Sequence, residues 1–352
     1  VTSDKMKLFY SKQHYNKSFR GQTFPLLKPF IKKDGFTDQE RMDMYGVSGQ
    51  DVIFVDVIEE SDVAILAMSW NYYVKTNQQS KAFQFFKKTQ DLQIPTWVVL
   101  LDDVGLDFPD FPHVKLFRQS GYRTKAPQWH VGLPVFISDP LKEHYNANTI
   151  FERCYSKHPT IGFCGYATLN IALALKTKLK IGLKNLGYYL KLHSQEPEML
   201  LAAAQWRYKI LKRLEAYSNI RTNFIYRKKY RAGTQNAEQR AASTQEFFDN
   251  IKDSDYVVCV RGAGNFSVRL YETLAMGRIP VFVNTDCILP INDVINWKDH
   301  VVWVEANEIP VIGNIVFEFH KKMNQETFIS LQHRNRVLWE KMLTIKFFKN
   351  YV

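Results

Sequence analysis

The stretch from Asp255 to Asp286 constrains this chain more than any other. Tyr256 to Val260 is a run of β-branched and aromatic residues of buried-strand length. Gly262 and Gly264 permit a tight turn, and Val268, Leu270, Tyr271, Leu274 and Ala275 give the next segment an apolar face. Gly277 then stops that helix, and after Pro280 a second apolar strand runs from Val281 to Val283. The unit therefore reads as βαβ, with Asn265 or Ser267 placed to cap the helix.

Such a turn gathers backbone N–H groups and the positive helix end at one point, which suits a phosphate. Arg261, at the carboxyl end of the first strand, adds charge there. Arg269 and Glu272 lie three apart and share a helix face, where the arginine can reach phosphate and the carboxylate can accept from a ribose diol. A surface ion pair beside an ordinary glycine turn accounts for the same residues. So does a dinucleotide fold, because Gly262-x-Gly264-x-x-Ser267 approximates the glycine fingerprint and Asp286 ends the following strand. Against an NAD(P)-binding Rossmann protein stand the serine in place of the last glycine and the late position of the unit in the chain.

Ser254-Asp-Tyr-Val-Val-Cys-Val-Arg-Gly, Arg269-Leu-Tyr-Glu-Thr-Leu-Ala-Met-Gly-Arg-Ile-Pro-Val, and Leu289-Pro followed by Trp297 resemble the C-terminal half of exostosin-type glycosyltransferases. Pro159-Thr-Ile-Gly-Phe-Cys-Gly is similar to the strand that opens the nucleotide-binding domain of that family. The resemblance implies an α/β, GT-B-like fold: two Rossmann-like domains facing a cleft, with a C-terminal helix crossing back to the first. It also implies inverting transfer from a nucleotide sugar, usually a UDP-sugar, without an essential metal or cofactor.

A chain of 352 residues with 45% hydrophobic content is long for one compact domain. The restart of the strand pattern places the boundary near Arg153 to Lys157. This gives an acceptor-side domain over 1–155, a nucleotide-sugar domain over 156–325 and a returning helix over 326–352. No run approaches the roughly 18 apolar residues of a membrane span and no secretory signal is visible, so the segment reads as soluble. It begins with Val1 rather than methionine, which leaves room for an upstream segment or tag. The net charge of +12 favours polyanionic company: nucleotide diphosphates, acidic glycans, anionic lipid surfaces or nucleic acid. The absence of zinc spacing, an RNA-binding signature or a basic zipper argues against nucleic acid. Arg227 to Arg231 is the densest basic cluster; it follows the expected strand Thr222 to Tyr226 and could face a donor cleft or be solvated surface.

Cys154, Cys164, Cys259 and Cys287 form no CxxC pair and read as reduced core residues. Glycosylation sequons occur at Asn16 and Asn265. A glycan on the second would block the phosphate turn, which favours a cytoplasmic, bacterial protein, peripheral to the inner membrane. The Golgi lumen is the alternative if an N-terminal anchor has been removed.

The first half offers strands at Met6 to Tyr10, Asp51 to Val57, Val63 to Met68, Thr96 to Leu101, Val114 to Phe117 and Val135 to Ile137, with a helix over Gln78 to Gln90. Ligands on open α/β sheets gather at strand carboxyl ends. Asp102 and Asp103 end the most apolar of these strands and are the first candidates for the base that takes the acceptor proton, with Asp103 resembling a family aspartate before a glycine. Paired carboxylates raise one another's pKa; an Asx-turn closing the strand is the plainer alternative. His14, His130 and Asp139 are substitutes. Trp70, Tyr72, Tyr73 and Trp129 fall in expected loops, where they could stack on an acceptor sugar or pack beneath the loops.

In the second half, Pro159 to Gly165 and His300 to Val304 read as strands. Thr168 to Leu190, Pro197 to Tyr217 and Thr234 to Ile251 read as helices, and Gln325 to Phe348 as a long helix interrupted near His333. The expected partners are a nucleotide-sugar donor, a polysaccharide or glycolipid acceptor, acidic ones included, and a peripheral membrane surface. A non-catalytic nucleotide- or glycan-binding module is the reading from a different class.

Overall fold

The computed structural model describes residues 5–31 and 36–352, with residues 230 and 231 by their backbone alone. Short apolar strands separated by helices give two parallel sheets. The first contains β1 (Met6–Phe9), β2 (Val52–Val55), β3 (Val63–Ile65), β4 (Thr96–Leu100), β5 (Val114–Arg118) and β6 (His130–Gly132) in the order β2-β1-β3-β4-β5-β6. The second contains β7 (Thr160–Tyr166), β8 (Arg221–Arg227), β9 (Tyr256–Cys259), β10 (Ile279–Asn284) and β11 (Val302–Glu305) in the order β11-β10-β9-β7-β8. Every neighbouring pair is parallel. Parallel strands need crossovers, so helices cover both faces and the central strands are apolar throughout, as in the fully buried β4 and β9.

Both sheets reverse their winding between the first and third strands in chain order, which is where a doubly wound sheet opens a crevice at its carboxyl edge. Two such units joined by a returning tail give the GT-B-like α/β architecture. The tail helix Gln325–Lys341 lies against the helix Val268–Ala275, with Arg336 donating to the Ala275 carbonyl at 2.8 Å. The helix Thr344–Phe348 then puts Phe347 and Phe348 into the core of the first sheet, where their rings meet Phe117 and Phe348 stacks on Trp97. One apolar cluster consequently runs from Leu8 and Val99 through Phe348 and Leu338 to Leu270 and Leu274, across both units.

An edge strand and the tail differ from the sequence expectation. Residues 135–137 are not a strand; the edge strand is β6, because Pro134 has no N–H with which to continue a ladder. The tail helix also runs unbroken through His333, whose ring sits outside and meets Glu152 at 2.6 Å. The break comes instead at Leu343, which is extended.

Candidate active site at the second switch point

Between the carboxyl ends of β7 and β9 lies a cavity of about 480 Å³. Tyr166 and Thr168 come to its wall from β7, and Arg261, Gly262 and Ala263 from β9. Ala203, Ala204 and Gln205 bring the first turn of the helix Ala203–Glu215, whose start has no side-chain cap, so its positive end is directed into the cavity. Arg207, one turn on, donates to the Tyr166 carbonyl at 2.9 Å and lines the same wall with Lys180 and Lys184. Val104 closes the site from the first domain. Three kinds of positive group thus converge on a largely apolar pocket, which suits an anionic head carrying a flat or apolar body.

A strap over residues 193–199 fastens the two domains above this cavity. Its backbone bonds to the first domain at Gly105 and Asp107, and its two glutamates point the same way because they are two apart in extended chain. Glu196 takes a bidentate pair from Arg118 at 2.9 and 2.5 Å, and Glu198 takes Arg261 Nη2 at 2.5 Å. Gly105 leaves room for that pair, since a Cβ would stand 1.9 Å from the Glu196 carboxylate and push it aside. Tyr122 completes the network by donating to Glu198 at 2.8 Å and accepting from Arg261 at 3.0 Å. Burial alone would favour neutral Arg261, yet Glu198 and Tyr122 more than offset it and hold the guanidinium charged. Glu196, Glu198, Tyr122, Arg207 and the helix start were not singled out from the sequence. The one signal for the glutamates was their i, i+2 spacing after a long stretch free of acids, from 153 to 195.

The expected phosphate turn is only partly available. Gly262 lines the cavity, and a Cβ on it would meet open space, so a ligand can approach its backbone. Its N–H, however, bonds to the Phe266 carbonyl, and that of Asn265 bonds to Ser120 Oγ of the first domain. Asn265 is fully buried and does not cap the helix. Its amide donates to Gly121, Thr285 and Asp286 carbonyls, which also removes it as a glycosylation site in the folded chain. Ser267 occupies the N-cap position without a side-chain bond.

Arg269 is partly buried with its guanidinium 4.2 Å above the Phe163 ring, donating to the Cys164 carbonyl at 2.7 Å and the Val258 carbonyl at 3.5 Å; it ties β7 to β9 rather than lining the cavity. Burial lowers its pKa. No ion pair joins it to Glu272, so the surface-pair reading is corrected. Glu272, like Arg269, does not line the cavity; its partly buried side chain has no hydrogen-bond partner among the described residues, and loss of hydration pushes its carboxyl up to about 7 against the pull of Arg269. Gly264 touches the opposite domain: a Cβ would lie 2.2 Å from the Asp103 carbonyl oxygen. The Asp103 backbone therefore lies against the turn across the cleft, although the residue stays exposed and does not line the cavity. Loss of hydration raises its pKa, and Asp102 and Glu198 raise it further. Asp102 turns to Lys75 at 2.6 Å.

The other candidates are occupied elsewhere. His14 bonds to Tyr73 at 2.8 Å, and burial, then Lys81, lowers it to about 4. His130 accepts from Arg118 at Nδ1 (3.2 Å), and burial followed by Arg118 takes it to about 3, so both rings stay neutral near pH 7. Asp139 caps the helix Pro140–Tyr145 and is paired with Arg336 at 2.5 Å. Trp70, Tyr72 and Tyr73 are not loop residues: they form a buried helix, and Trp129 packs on Phe108 and His130, so none offers a free face to a sugar. Arg227 is held by Glu246 at 2.9 Å, and the side chains of residues 230 and 231 lie outside the described residues. Cys154 is exposed rather than in the core. The dinucleotide reading fails at Asp286, whose carboxylate is taken by Thr124 Oγ1 at 2.6 Å.

Residues 194–319 match the model of the exostosin GT47 domain. This segment of the chain is similar to an exostosin-type glycosyltransferase domain. It runs from the strap glutamates through the helix Ala203–Glu215, β9 and β10 to the helix before the tail, and so supplies most of the cavity wall. Among curated proteins, the chain is 29% identical to the probable glucuronosyltransferase GUT1 of Oryza sativa subsp. japonica over 72 residues, 20% of this chain and 17% of that one. It is 30% identical to the probable beta-1,4-xylosyltransferase IRX10L of Arabidopsis thaliana over 70 residues, again 20% and 17%. With Exostosin-1 of Drosophila melanogaster it shares 28% over 91 residues, 26% and 11%. The matched segment thus spans less than a fifth of each relative's length. Among solved structures it aligns with TarM at a TM-score of 0.33 and 8% identity, covering 84% of this chain and 53% of that one. With apo UGT2 of Phytolacca americana the values are 0.31, 9%, 99% and 98%. At those scores the architecture rests on the strand order itself.

Proposed function

We propose that the protein is an inverting glycosyltransferase that takes a nucleotide sugar, with UDP as the nucleotide, and extends a polysaccharide or glycolipid. The observation that carries this reading is the coincidence of the exostosin-type segment with the walls of the switch-point cavity. The diphosphate would lie against the helix start at Ala203, with Arg207, Lys180 and Lys184 supplying charge and Gly262 allowing close approach. Arg261, locked by Glu198 and Tyr122, would act from the same wall. Glu272, partly buried beyond the cavity wall and with no side-chain partner among the described residues, would accept from two ribose hydroxyls if the nucleoside reaches past that wall, which would favour its charged form.

In the transfer itself, the acceptor hydroxyl oxygen bonds to the anomeric carbon while the carbon–phosphate oxygen bond breaks and its electron pair leaves with UDP. Asp103 would take the hydroxyl proton; its raised pKa makes it a stronger base than an ordinary aspartate. The positive groups would stabilise the departing diphosphate, so this reading asks for no metal. A site of action at the inner membrane or in the Golgi lumen belongs to the same proposal. The test is nucleotide release from a panel of UDP-sugars with and without glycan acceptors. Acceptor-dependent release from one donor supports the enzyme, whereas UDP binding without turnover on any donor favours the non-catalytic module.

A further inference from the structure

The helix Ile171–Tyr189 has two faces with different surroundings. Its inner face is fixed: Ala174 and Gly187 are buried, Tyr188 donates to Asp107 at 2.9 Å, Asn185 donates to the Glu198 carbonyl at 2.7 Å, and Lys180 and Lys184 border the cavity. Its outer face carries Ile171, Leu175, Leu179, Leu183, Leu186 and Leu190, each between 53% and 66% exposed. At 100° per residue these positions form one stripe along roughly 28 Å of helix. Lys176 and Lys178 flank the stripe on either side, with Lys191 just past its end, and no Asp or Glu occurs anywhere from 153 to 195. The stripe continues beyond the helix in Leu192, 75% exposed, and Leu200.

We infer that this outer face docks on an anionic lipid surface, the leucines entering the interface and the lysines meeting the headgroups. Charge decides between lipid and a second copy of the chain. A second copy would bring another unneutralised set of lysines against the first, whereas anionic headgroups supply the missing counter-charge. A leucine stripe flanked by lysines is the composition of an interfacial helix, and long lysine stems reach past an apolar face to the headgroup layer. The consequence for the proposed reaction is geometric: the opposite face of the same helix borders the cavity, so docking would hold that cavity next to a lipid-linked acceptor. That consequence rests on the proposed function; the docking itself does not.

The test is sedimentation of the full chain with vesicles of phosphatidylcholine alone and of phosphatidylcholine mixed with phosphatidylglycerol, read without donor or acceptor. The protein is expected to bind the anionic vesicles at least tenfold more tightly and to lose that preference at high salt. Leu175→Ser/Leu179→Ser/Leu183→Ser should abolish vesicle binding with an unchanged thermal midpoint, since these side chains are exposed and none borders the cavity. Lys176→Gln/Lys178→Gln/Lys191→Gln should weaken binding to anionic vesicles on the order of a hundredfold. Equal affinity for both vesicle types, no binding to either, or unchanged binding by the leucine variant would overturn the inference. So would self-association of the wild type in sedimentation velocity that the leucine variant removes. UDP-sugar turnover is measured separately, so either proposal can fail alone.

Discussion

The two sheets have the same kind of reversal, yet among the described residues the second keeps its crevice open while the first is filled. At the first, the segments after β1 and β3 close on each other: His14 bonds to Tyr73, Asn16 to Tyr72, and Phe19 and Phe85 pack against the same rings. At the second, β7 and β9 diverge around a cavity bounded by a helix start, basic side chains and a strap of two glutamates. Topology therefore offers two places for a ligand, and side-chain volume decides which is used. Aromatics at strand ends fill a crevice, while glycine, alanine and long cations leave one.

The largest expected effect tests what the first domain contributes across the cleft. Asp103→Asn should lower turnover by about 10² to 10⁴ with UDP affinity unchanged, and Asp102→Asn should be milder because its partner is Lys75. Initial rates beside UDP calorimetry give the answer, and near-wild-type turnover in both variants would return the base to open question. With Asp103 raised by burial, the acid limb of the rate profile should lie above the ordinary carboxylate range, activity being lost as pH falls through it.

If the closed crevice is purely core, Trp70→Ala should cost about 3 to 5 kcal/mol in denaturant unfolding and leave the UDP affinity of the folded protein alone. Loss of affinity without loss of stability would make the first crevice a binding site after all.

Glu272 sharpens the contrast from the other side. Its carboxyl is pushed from 4.5 to about 7, so the folded state holds a proton that the unfolded chain has released, and stability falls as pH rises from about 4.5 to 7. Glu272→Gln should therefore stabilise the free protein at pH 8 by on the order of 3 kcal/mol, an advantage that vanishes below the unfolded pKa. The same substitution should weaken UDP by about 1 to 3 kcal/mol. Thermal midpoints across pH decide the first part; equal stability at all pH values would mean the carboxyl is better solvated than its burial implies. The smallest effect belongs to Arg207→Gln, expected to weaken UDP more than uridine by about 1 to 2 kcal/mol in calorimetry.

Strand and helix positions were legible because buried strands are short apolar runs and helices show their period, as β4 and the helix Gln79–Asp91 illustrate. The exostosin-type motif located β9, the turn and β10. Side-chain commitments were not legible. Nothing local in the sequence tells that Asn265 spends its amide on three carbonyls from two distant segments, or that Arg269 lies on Phe163. Nor does sequence distinguish Trp70 and Tyr73 within a buried helix from aromatics on a loop, since both follow a strand end. Residues joined by long-range pairing, such as Glu196 with Arg118, acquire meaning only when the strap crosses between domains.

The second switch point is proposed to bind a nucleotide diphosphate with Glu272 at its ribose. Isothermal titration of UDP in EDTA, near pH 7 in two buffers of different ionisation enthalpy, tests it most directly. Saturable binding without metal and a buffer-dependent heat are expected, because ribose hydroxyls that favour the carboxylate drive release of a fraction of a proton, and Glu272→Gln should remove that dependence. Absence of binding in EDTA, or a heat that is the same in both buffers for the wild type, would contradict it.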